Sequence, residues 1–317
     1  MIRTTIRILA GACLLAAAGA CADGRAAPSP RGEEPARARF IRSLDGFYGP
    51  EGVKYDAEQD VWFISNMLGY GSARDGAGYI IRIPAGPLGP PTLFIEGGKK
   101  GVTLDAPKGM AIHGDTLWVA DIDVLRGFDR RTGAPLATLD FRPRRAVLLN
   151  DVTVGHDGLL YVTDSGIRMT EVGVLHPGGD RVFAVGPNHA ISVVAAGAAL
   201  GRPNGIIPEP KGKGLVVVSF DPFKSLAYRL TPGDPRGTLT PLAQGKGKFD
   251  GVEPLADGRL LVSAWNDSSI HVLGGGRDER IIRGLWQPAD IGVDTRRNRI
   301  AIPQPVRDRV EFWELPR

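Results

Sequence analysis

FDGVEPLADGRLLVSAW, at residues 249–265, shows most clearly the pattern from which the fold of this chain can be predicted. An acidic residue and a glycine lead into a first hydrophobic run. Ala256-Asp257-Gly258 then supplies a turn, and a second hydrophobic run follows at once. Two apolar runs joined by a short turn of this composition predict a β-hairpin.

The same pattern recurs along the chain at intervals of 39 to 57 residues. The first strands of the six copies begin at Glu51, Lys108, Asn150, Asn204, Asp250 and Ala289. Such an interval is typical of a propeller blade of four strands, and most copies continue into a second strand pair, as at 78–84 and 91–97. The sequence therefore predicts an all-β, six-bladed β-propeller. A repeated β-sandwich is the alternative, and the sixfold match disfavours it.

The last copy has room for only three strands before Arg317. The segment ARFIRSL, at residues 38–44, lies before the first copy and has no partner of its own. We expect this N-terminal strand to complete the last blade and close the ring.

The composition excludes several classes of protein. The chain has 317 residues with 43 glycines and 25 prolines, which weaken helix interiors and argue against a helical bundle. Two cysteines exclude a disulfide scaffold and a cysteine-based zinc site. A net charge of +4 is too small for a nucleic-acid-binding surface.

The N-terminus has the pattern of an export signal. Residues 1–20 place two arginines before an apolar stretch too short to span a bilayer. Residues 21–38 are rich in Ala, Pro and charge, which predicts a flexible linker before a propeller at 39–317. Cys21 follows a lipoprotein-like signal box and would be lipidated; ordinary cleavage at Ala20-Cys21-Ala22 is the alternative. We expect an exported protein, either periplasmic or membrane-anchored as a lipoprotein, or else secreted.

The repeat has a chemical consequence, because the innermost strands of a propeller line a central channel. Residues at one equivalent position then form a ring around the axis. Four of the six ring residues carry oxygen ligands suited to a hard cation: Glu51, Asn150, Asn204 and Asp250. The ring contains no Cys or His, which argues against a softer metal. Turn residues that bond the local backbone are the alternative interpretation for each of them.

Lys108 is the ring residue that divides two interpretations. In a metal-binding channel it would turn toward the mouth and contact substrate. In a metal-free channel it would form an ion-pair cluster with Glu51 and Asp250. Further polar side chains end the second strands, among them Asp121 and Asp164, and Trp286 lies in a loop that can line the mouth. We predict that one face of the disc holds the ligand site.

Four segments together resemble the senescence-marker-protein/gluconolactonase/luciferin-regenerating-enzyme family, the regucalcin-like six-bladed propellers. They are GPEGVKYD (49–56), LLNDVTVGHDGLLYVTDS (148–165), RPNGIIPE (202–209) and FDGVEPLADGRLLVSAW (249–265). The resemblance implies one divalent cation, calcium first, with Zn²⁺, Mn²⁺ or Mg²⁺ as alternatives. It implies Glu51, Asn150, Asn204 and Asp250 as ligands, with Asp250 also the general base. Sugar-lactone members often carry an Arg where this chain has Leu148.

The resulting hypothesis is an exported calcium-dependent hydrolase of a small-molecule lactone or similar ester. Asp250 would be catalytic, and substrate contacts would come from Lys108, Asn150, Asn204, Asp121, Asp164 and Trp286. A non-catalytic NHL-type propeller that binds a peptide or glycan is the alternative, and an organophosphate-type esterase is a third. We expect a monomer that binds no nucleic acid and contacts a membrane only through a lipid on Cys21.

Overall fold

Six four-stranded antiparallel sheets make up the body of the protein. The computed structural model describes residues 37–69, 71–234 and 236–316. The predicted signal at 1–20, Cys21 and almost all of the linker lie outside these residues and stay predictions.

The strands of blades 1 to 5 run outward from the channel in chain order. Before the first blade comes β1 (Arg39–Asp45). Blade 1 contains β2 (Pro50–Asp56), β3 (Val61–Asn66), β4 (Tyr79–Pro84) and β5 (Thr92–Glu96). Blade 2 contains β6 (Pro107–His113), β7 (Thr116–Asp121), β8 (Val124–Asp129) and β9 (Pro135–Asp140). Blade 3 contains β10 (Leu149–Val154) and β11 (Leu160–Asp164), then a separate hairpin of β12 (Arg168–Thr170) and β13 (Gly173–Leu175), then β14 (Arg181–Val185) and β15 (Ile191–Ala196).

The second half of the chain repeats this order. Blade 4 contains β16 (Pro203–Pro208), β17 (Leu215–Ser219), β18 (Leu226–Leu230) and β19 (Leu239–Gln244). Blade 5 contains β20 (Phe249–Pro254), β21 (Leu260–Ala264), β22 (Ser269–Gly274) and β23 (Arg277–Arg283). Blade 6 contains β24 (Gly292–Asp294), β25 (Arg299–Gln304) and β26 (Arg309–Glu314). Short 3-10 helices lie at Arg142–Arg144, Pro187–His189, Ala198–Leu200 and Pro305–Arg307.

The N-terminal strand closes the ring as the sequence predicts. β1 pairs antiparallel with β26, from Arg39 opposite Glu314 to Asp45 opposite Arg309. The sheet order of blade 6 is therefore β1-β26-β25-β24, with both ends of the described chain in one blade. The six-bladed propeller and its closing strand are confirmed. No helix in the described ranges is long and apolar enough to cross a membrane.

The core lies between neighbouring blades, where apolar side chains of adjacent sheets meet. Trp118 of blade 2 packs with Val162 and Phe183 of blade 3. Trp62 of blade 1 packs with Phe312 of blade 6, with ring centroids 5.9 Å apart. These contacts lock each blade to the next and hold the innermost strands at fixed positions around the axis.

Candidate metal centre

One irregularity of strand pairing recurs where the innermost strand enters five of the six blades. In blade 1, Pro50 pairs with Asn66 and the next pair is Val53 with Ile64. Two residues of the inner strand therefore face one residue of its partner, which is a β-bulge. Bulges re-aim side chains away from the regular sheet. The bulged pairs are 51–52, 108–109, 150–151, 204–205 and 250–251.

The first residue of every bulge is a predicted ring residue, and the second is glycine in four of the five. A Cβ on Gly52 would lie 2.6 Å from the carbonyl oxygen of Lys108. A Cβ on Gly251 would lie 2.5 Å from the backbone nitrogen of Ile291. Neighbouring inner strands thus approach too closely for a side chain at this position. The glycine allows the approach, and the preceding residue lines the channel.

Hydroxyl side chains fix the position of the ring, and the sequence reasoning missed them. Ser65 accepts a hydrogen bond from the Gly52 amide at 2.8 Å and donates one to the Lys108 carbonyl at 2.8 Å. Its hydroxyl therefore ties the bulge of one blade to the ring residue of the next. Equivalent bridges are made by Thr163, between Asp151 and Asn204, and by Ser263, between Gly251 and Ala289. The sequence does contain a signal for them, because each of these hydroxyl residues has the same position in the second strand of its blade.

Four of the ring side chains carry buried oxygens that have no hydrogen-bond partner in the described part of the chain. Glu51, Asn150, Asn204 and Asp250 are 5%, 1%, 1% and 2% exposed. The unpartnered atoms are Glu51 Oε2, Asn150 Oδ1, Asn204 Oδ1 and Asp250 Oδ1. A buried polar atom left in this state costs about 1–3 kcal/mol. Four such acceptors at equivalent positions of four blades fit a bound hard cation.

The electrostatics of the channel point the same way. Burial raises the pKa of Glu51 well above its usual range, and the charge of Asp250 raises it further. Burial and the charge of Asp151 raise the pKa of Asp250 to about 8. Beneath the ring, burial and the Asp151 charge also raise the pKa of Asp290. Several carboxylates therefore share a volume that water screens poorly, and a cation among them would relieve their repulsion.

Deeper in the channel, one ion pair partly balances these acids. Lys54 contacts Glu253 with 3.0 Å between Nζ and Oε1. Asp151 accepts hydrogen bonds from the amides of Val152 at 2.7 Å and Ile206 at 2.8 Å. Burial nevertheless raises the pKa of Asp151 to about 7. The described residues hold no group of three or more His, Cys, Asp or Glu arranged for a metal, so the candidate site depends on its two amides.

Lys108 turns toward the mouth of the channel. Its side chain is fully buried, and Nζ donates to the carbonyl oxygens of Gly71 at 2.6 Å and Ala106 at 2.8 Å. Burial lowers its pKa, which the charge of Glu51 opposes. In the described part of the chain, Lys108 forms no ion pair with Glu51 or Asp250. The geometry therefore differs from the ion-pair cluster considered above.

The segment that receives Lys108 also covers the ring. A Cβ on Gly71 would lie 2.7 Å from Met169 Sδ and 3.1 Å from Met67 Sδ. Ser72 accepts a hydrogen bond from the Met169 amide at 3.0 Å. Leu148 belongs to the same apolar cluster as Met67 and is fully buried. Apolar side chains from the loops of several blades, including Ile122 of blade 2 and Phe220 of blade 4, therefore form a cover on the ring face.

Asp121 and Asp164 have structural contacts at the ends of their strands. Asp121 accepts from the Ala106 amide at 2.8 Å and pairs with Arg126 at 2.5 Å. Asp164 accepts from the Leu148 amide at 2.9 Å and from two further backbone amides. Each aspartate ties the loop before an inner strand to the end of the second strand. The predicted substrate contacts of these two residues stay predictions.

Trp286 lies in the equivalent loop of blade 6 and is about half exposed, at 51%. Its backbone amide donates to Gln304 Oε1 at 2.8 Å, which is the same loop-to-strand link. The Arg307 guanidinium lies 3.8 Å from the centroid of the indole ring. The indole is thus held at the rim of the face, and its contact with substrate stays a prediction.

The similarity of this chain to known proteins is one of structure. No protein-family model matches the chain, and no curated protein sequence matches it. A structural-genomics protein assigned as a gluconolactonase superposes with a TM-score of 0.65 and 18% identity, covering 88% of this chain and 92% of its own. The chain has the propeller fold of the gluconolactonases.

Two further solved structures support this similarity. A gluconolactonase from Xanthomonas campestris gives a TM-score of 0.64 and 17% identity, over 90% of this chain and 99% of its own. A luciferin-regenerating enzyme gives 0.62 and 10%, over 87% and 94%. The resemblance drawn from the four sequence segments is confirmed as a resemblance of fold. At these identities the fold alone is established, because one fold serves many activities.

Proposed function

We propose that this chain is an exported, divalent-cation-dependent hydrolase that opens a lactone or a similar ester. The observation that carries the proposal is the set of four unpartnered, buried oxygens on Glu51, Asn150, Asn204 and Asp250. Their positions in the bulges of four blades support a common role. Two structural relatives are described as gluconolactonases, which favours lactone chemistry.

These four residues would hold the cation through two carboxylate and two amide oxygens. Calcium takes mixed oxygen ligands of this kind and is our first choice, with Mg²⁺, Mn²⁺ and Zn²⁺ as alternatives. When bound, the cation would polarise the carbonyl group of the substrate and stabilise the developing negative charge. Asn150 and Asn204 would also orient the substrate beside it.

Asp250 is the residue that we assign as the general base. Its carboxylate is buried, and its pKa is raised to about 8 by burial and by the charge of Asp151. A bound cation would lower this pKa and keep the carboxylate ionised near neutral pH, as a general base requires. Asp250 would therefore orient the attacking water and take its proton.

Lys108 would bind the oxygen on which negative charge develops. Two of its three N–H groups are used by the carbonyls of Gly71 and Ala106. The remaining N–H can face a substrate that lies between the cover and the ring. An ammonium fixed in advance by two backbone carbonyls is suited to such charge stabilisation.

The substrate would be less polar than a sugar lactone. Leu148 stands where sugar-lactone relatives often place an arginine, and it packs with Met67, Ile167 and Phe220 in one apolar cluster. Such a wall cannot satisfy the hydroxyl groups of a sugar. We therefore favour a lactone or ester with an apolar portion next to the carbonyl.

A non-catalytic binding propeller is the second candidate, favoured by the exposed apolar side chains of the same face. Val172 at the tip of the β12–β13 hairpin is 87% exposed, and Phe223 after β17 is 86% exposed. Isolated side chains of this kind suit contact with a larger partner, such as a peptide or a glycan. This candidate needs neither a cation nor turnover.

A panel of lactones and aryl esters, assayed with calcium and with chelator, separates the two candidates. We expect hydrolysis that chelator abolishes, that calcium restores and that Asp250→Asn removes. Asp257→Asn is the matched control, because Asp257 is a surface aspartate that pairs with Arg259 in a distant turn. Turnover that is indifferent to chelator, or is unchanged in Asp250→Asn, would contradict the proposal. If well-folded protein loaded with calcium turns over none of the substrates, the result favours the binding propeller.

Export is the part of the proposal that rests on residues 1–20. Mass spectrometry of the mature protein tests it and also decides how the signal is cleaved. A lipidated N-terminal Cys21 indicates a membrane-anchored lipoprotein, and an unmodified terminus at Cys21 or just after it indicates a periplasmic or secreted protein. An intact residue 1 in mature protein would contradict export.

A further inference from the structure

A concavity opens on the same face as the ring. It has a volume of about 430 Å³, and we call it the outer pocket. Its walls come from residues 72–74, the β7–β8 turn at Ile122 and Asp123, residues 146–147, and residues 168–171. The walls are loops on the ring side of blades 1 and 2 and the β12–β13 hairpin of blade 3.

The outer pocket is separated from the ring by the cover. Ser72 and Met169 line the pocket and are joined by a hydrogen bond of 3.0 Å. Gly71, the neighbour of Ser72, gives its carbonyl to Lys108. Met169 and Ile122 also contact the apolar cluster above the ring. A molecule in the outer pocket would thus be one cover segment away from Lys108.

Asp123 is a polar residue of this pocket whose hydrogen bonding is incomplete. The residue is 6% exposed, and its Oδ2 pairs with Arg74 at 2.5 Å. Its Oδ1 is buried and has no hydrogen-bond partner in the described ranges. An unsatisfied buried acceptor costs about 1–3 kcal/mol, so a donor brought by a ligand would be favourable. Arg74 is half exposed and can swing outward to admit that donor.

The turn that presents Asp123 is strained. Ile122 has a φ of +57°, a conformation that β-branched residues rarely adopt. The Asp123 carbonyl accepts a hydrogen bond of 3.0 Å from the Phe141 amide, which holds the turn in place. Backbone strain of this kind is retained where the surrounding structure needs one side-chain position. Here the strain sets Asp123 beside the apolar side chains of Ile122 and Met169.

We propose that the outer pocket binds the part of the substrate that is not cleaved, and that Asp123 selects a hydroxyl or N–H group on it. This inference rests on the proposed function. Ile122 and Met169 contact the apolar atoms that lead from the reacting carbonyl to the donor. The basic residues Arg74 and Arg168 are balanced by the acidic Asp123 and Glu171 among the lining residues, so an anionic group gains little there. The preferred substrate class is therefore a lactone or ester with an apolar arm that ends in a hydrogen-bond donor.

Three γ-lactones with side chains of one length, ending in hydroxyl, methoxy or methyl, provide the kinetic test. Wild type should prefer the hydroxyl compound over the methoxy compound by about tenfold in kcat/KM, the effect of one hydrogen bond to a charged group. Asp123→Asn should reduce this ratio toward one, through KM of the hydroxyl compound rather than through kcat. Asp257→Asn, in a turn far from this face, should leave the ratio unchanged. A wild type without preference, or a preference that survives in Asp123→Asn, overturns the inference.

A binding measurement separates this inference from the proposed function. Cyclopentanones that carry the same three side chains cannot be hydrolysed, and their binding is measured by the shift in melting temperature. The hydroxyl ketone should stabilise wild type more than the methoxy ketone, and Asp123→Asn should remove the difference. If no lactone is hydrolysed but this difference is found, the proposed function fails and the outer pocket stands. If lactones are hydrolysed and the ketones show no such difference, the outer-pocket assignment is overturned.

Discussion

Removal of one buried carboxylate should change how the cation-free protein responds to pH. The perturbation is Asp250→Asn, measured in the presence of chelator. The pKa of Asp250 is raised to about 8 in the folded chain, whereas an unfolded aspartate titrates near about 3.9. Between these values the folded state binds more protons than the unfolded state. The contribution of Asp250 to stability is therefore largest at low pH and is lost as the pH rises toward 8.

The size of this effect follows from the width of the pH interval. Because the folded state holds one more proton than the unfolded state, the free energy of unfolding should fall by about 4 kcal/mol between pH 5 and pH 8. Since about 1 kcal/mol shifts the melting temperature of a large domain by about 2–4 °C, wild type should lose about 10 °C over this interval. Glu51 and Asp290 have raised pKa values for the same reason and add to the slope.

The assay is thermal unfolding in chelator at several values between pH 5 and pH 8. Asp250→Asn should flatten the curve and melt above wild type at pH 8, because the amide carries no charge to bury. Asp257→Asn is again the control and should keep the wild-type slope. With saturating calcium, wild type should regain stability at pH 8 and Asp250→Asn should regain little. A wild-type curve without slope, or an equal slope in Asp250→Asn, would refute the reasoning.

Two further substitutions test the geometry of the ring. Lys108→Met removes an ammonium whose charge acts on Glu51. Calcium titration should show tighter binding, while kcat for a lactone falls by about 10²-fold. Weaker calcium binding would contradict this placement of Lys108. Gly52→Ala puts a Cβ 2.6 Å from the Lys108 carbonyl and should lower the free energy of unfolding by about 1–3 kcal/mol in urea denaturation. Gly186→Ala is its control, because the atom nearest to the new Cβ would lie 3.8 Å away. Equal losses of unfolding free energy in the two variants would contradict the close approach of the inner strands.

The sequence predicted the fold and the ring because both depend on a repeat. Once the six strand pairs are aligned, the equivalent position of Glu51, Asn150, Asn204 and Asp250 follows from propeller geometry. The closing role of residues 38–44 follows in the same way, from one strand without a partner. These inferences needed only periodicity and the antiparallel course of each blade.

Other features depend on contacts between segments that are distant in the chain. The direction of Lys108 is set by the carbonyl of Gly71, which belongs to a loop of the preceding blade. The outer pocket likewise needs loops from three blades, so Asp123 carries no local signal in the sequence. The bulges and the hydroxyl bridges of Ser65 and Thr163 are intermediate in predictability. Their residues recur at one position of the repeat, but their role is visible only once the strands are paired.

Calcium binding to chelator-treated protein, measured by isothermal titration, is the decisive test of the ring as a cation centre. Wild type should bind one calcium ion per chain, and the Glu51→Gln and Asp250→Asn variants should lose this binding. Asp257→Asn should bind as wild type does. If wild type shows no binding tighter than about 10⁻³ M, the weak end of calcium sites in proteins, the ring is not a calcium centre. Binding that persists unchanged when both Glu51 and Asp250 are neutralised would place the ion elsewhere and overturn the assignment of these ligands.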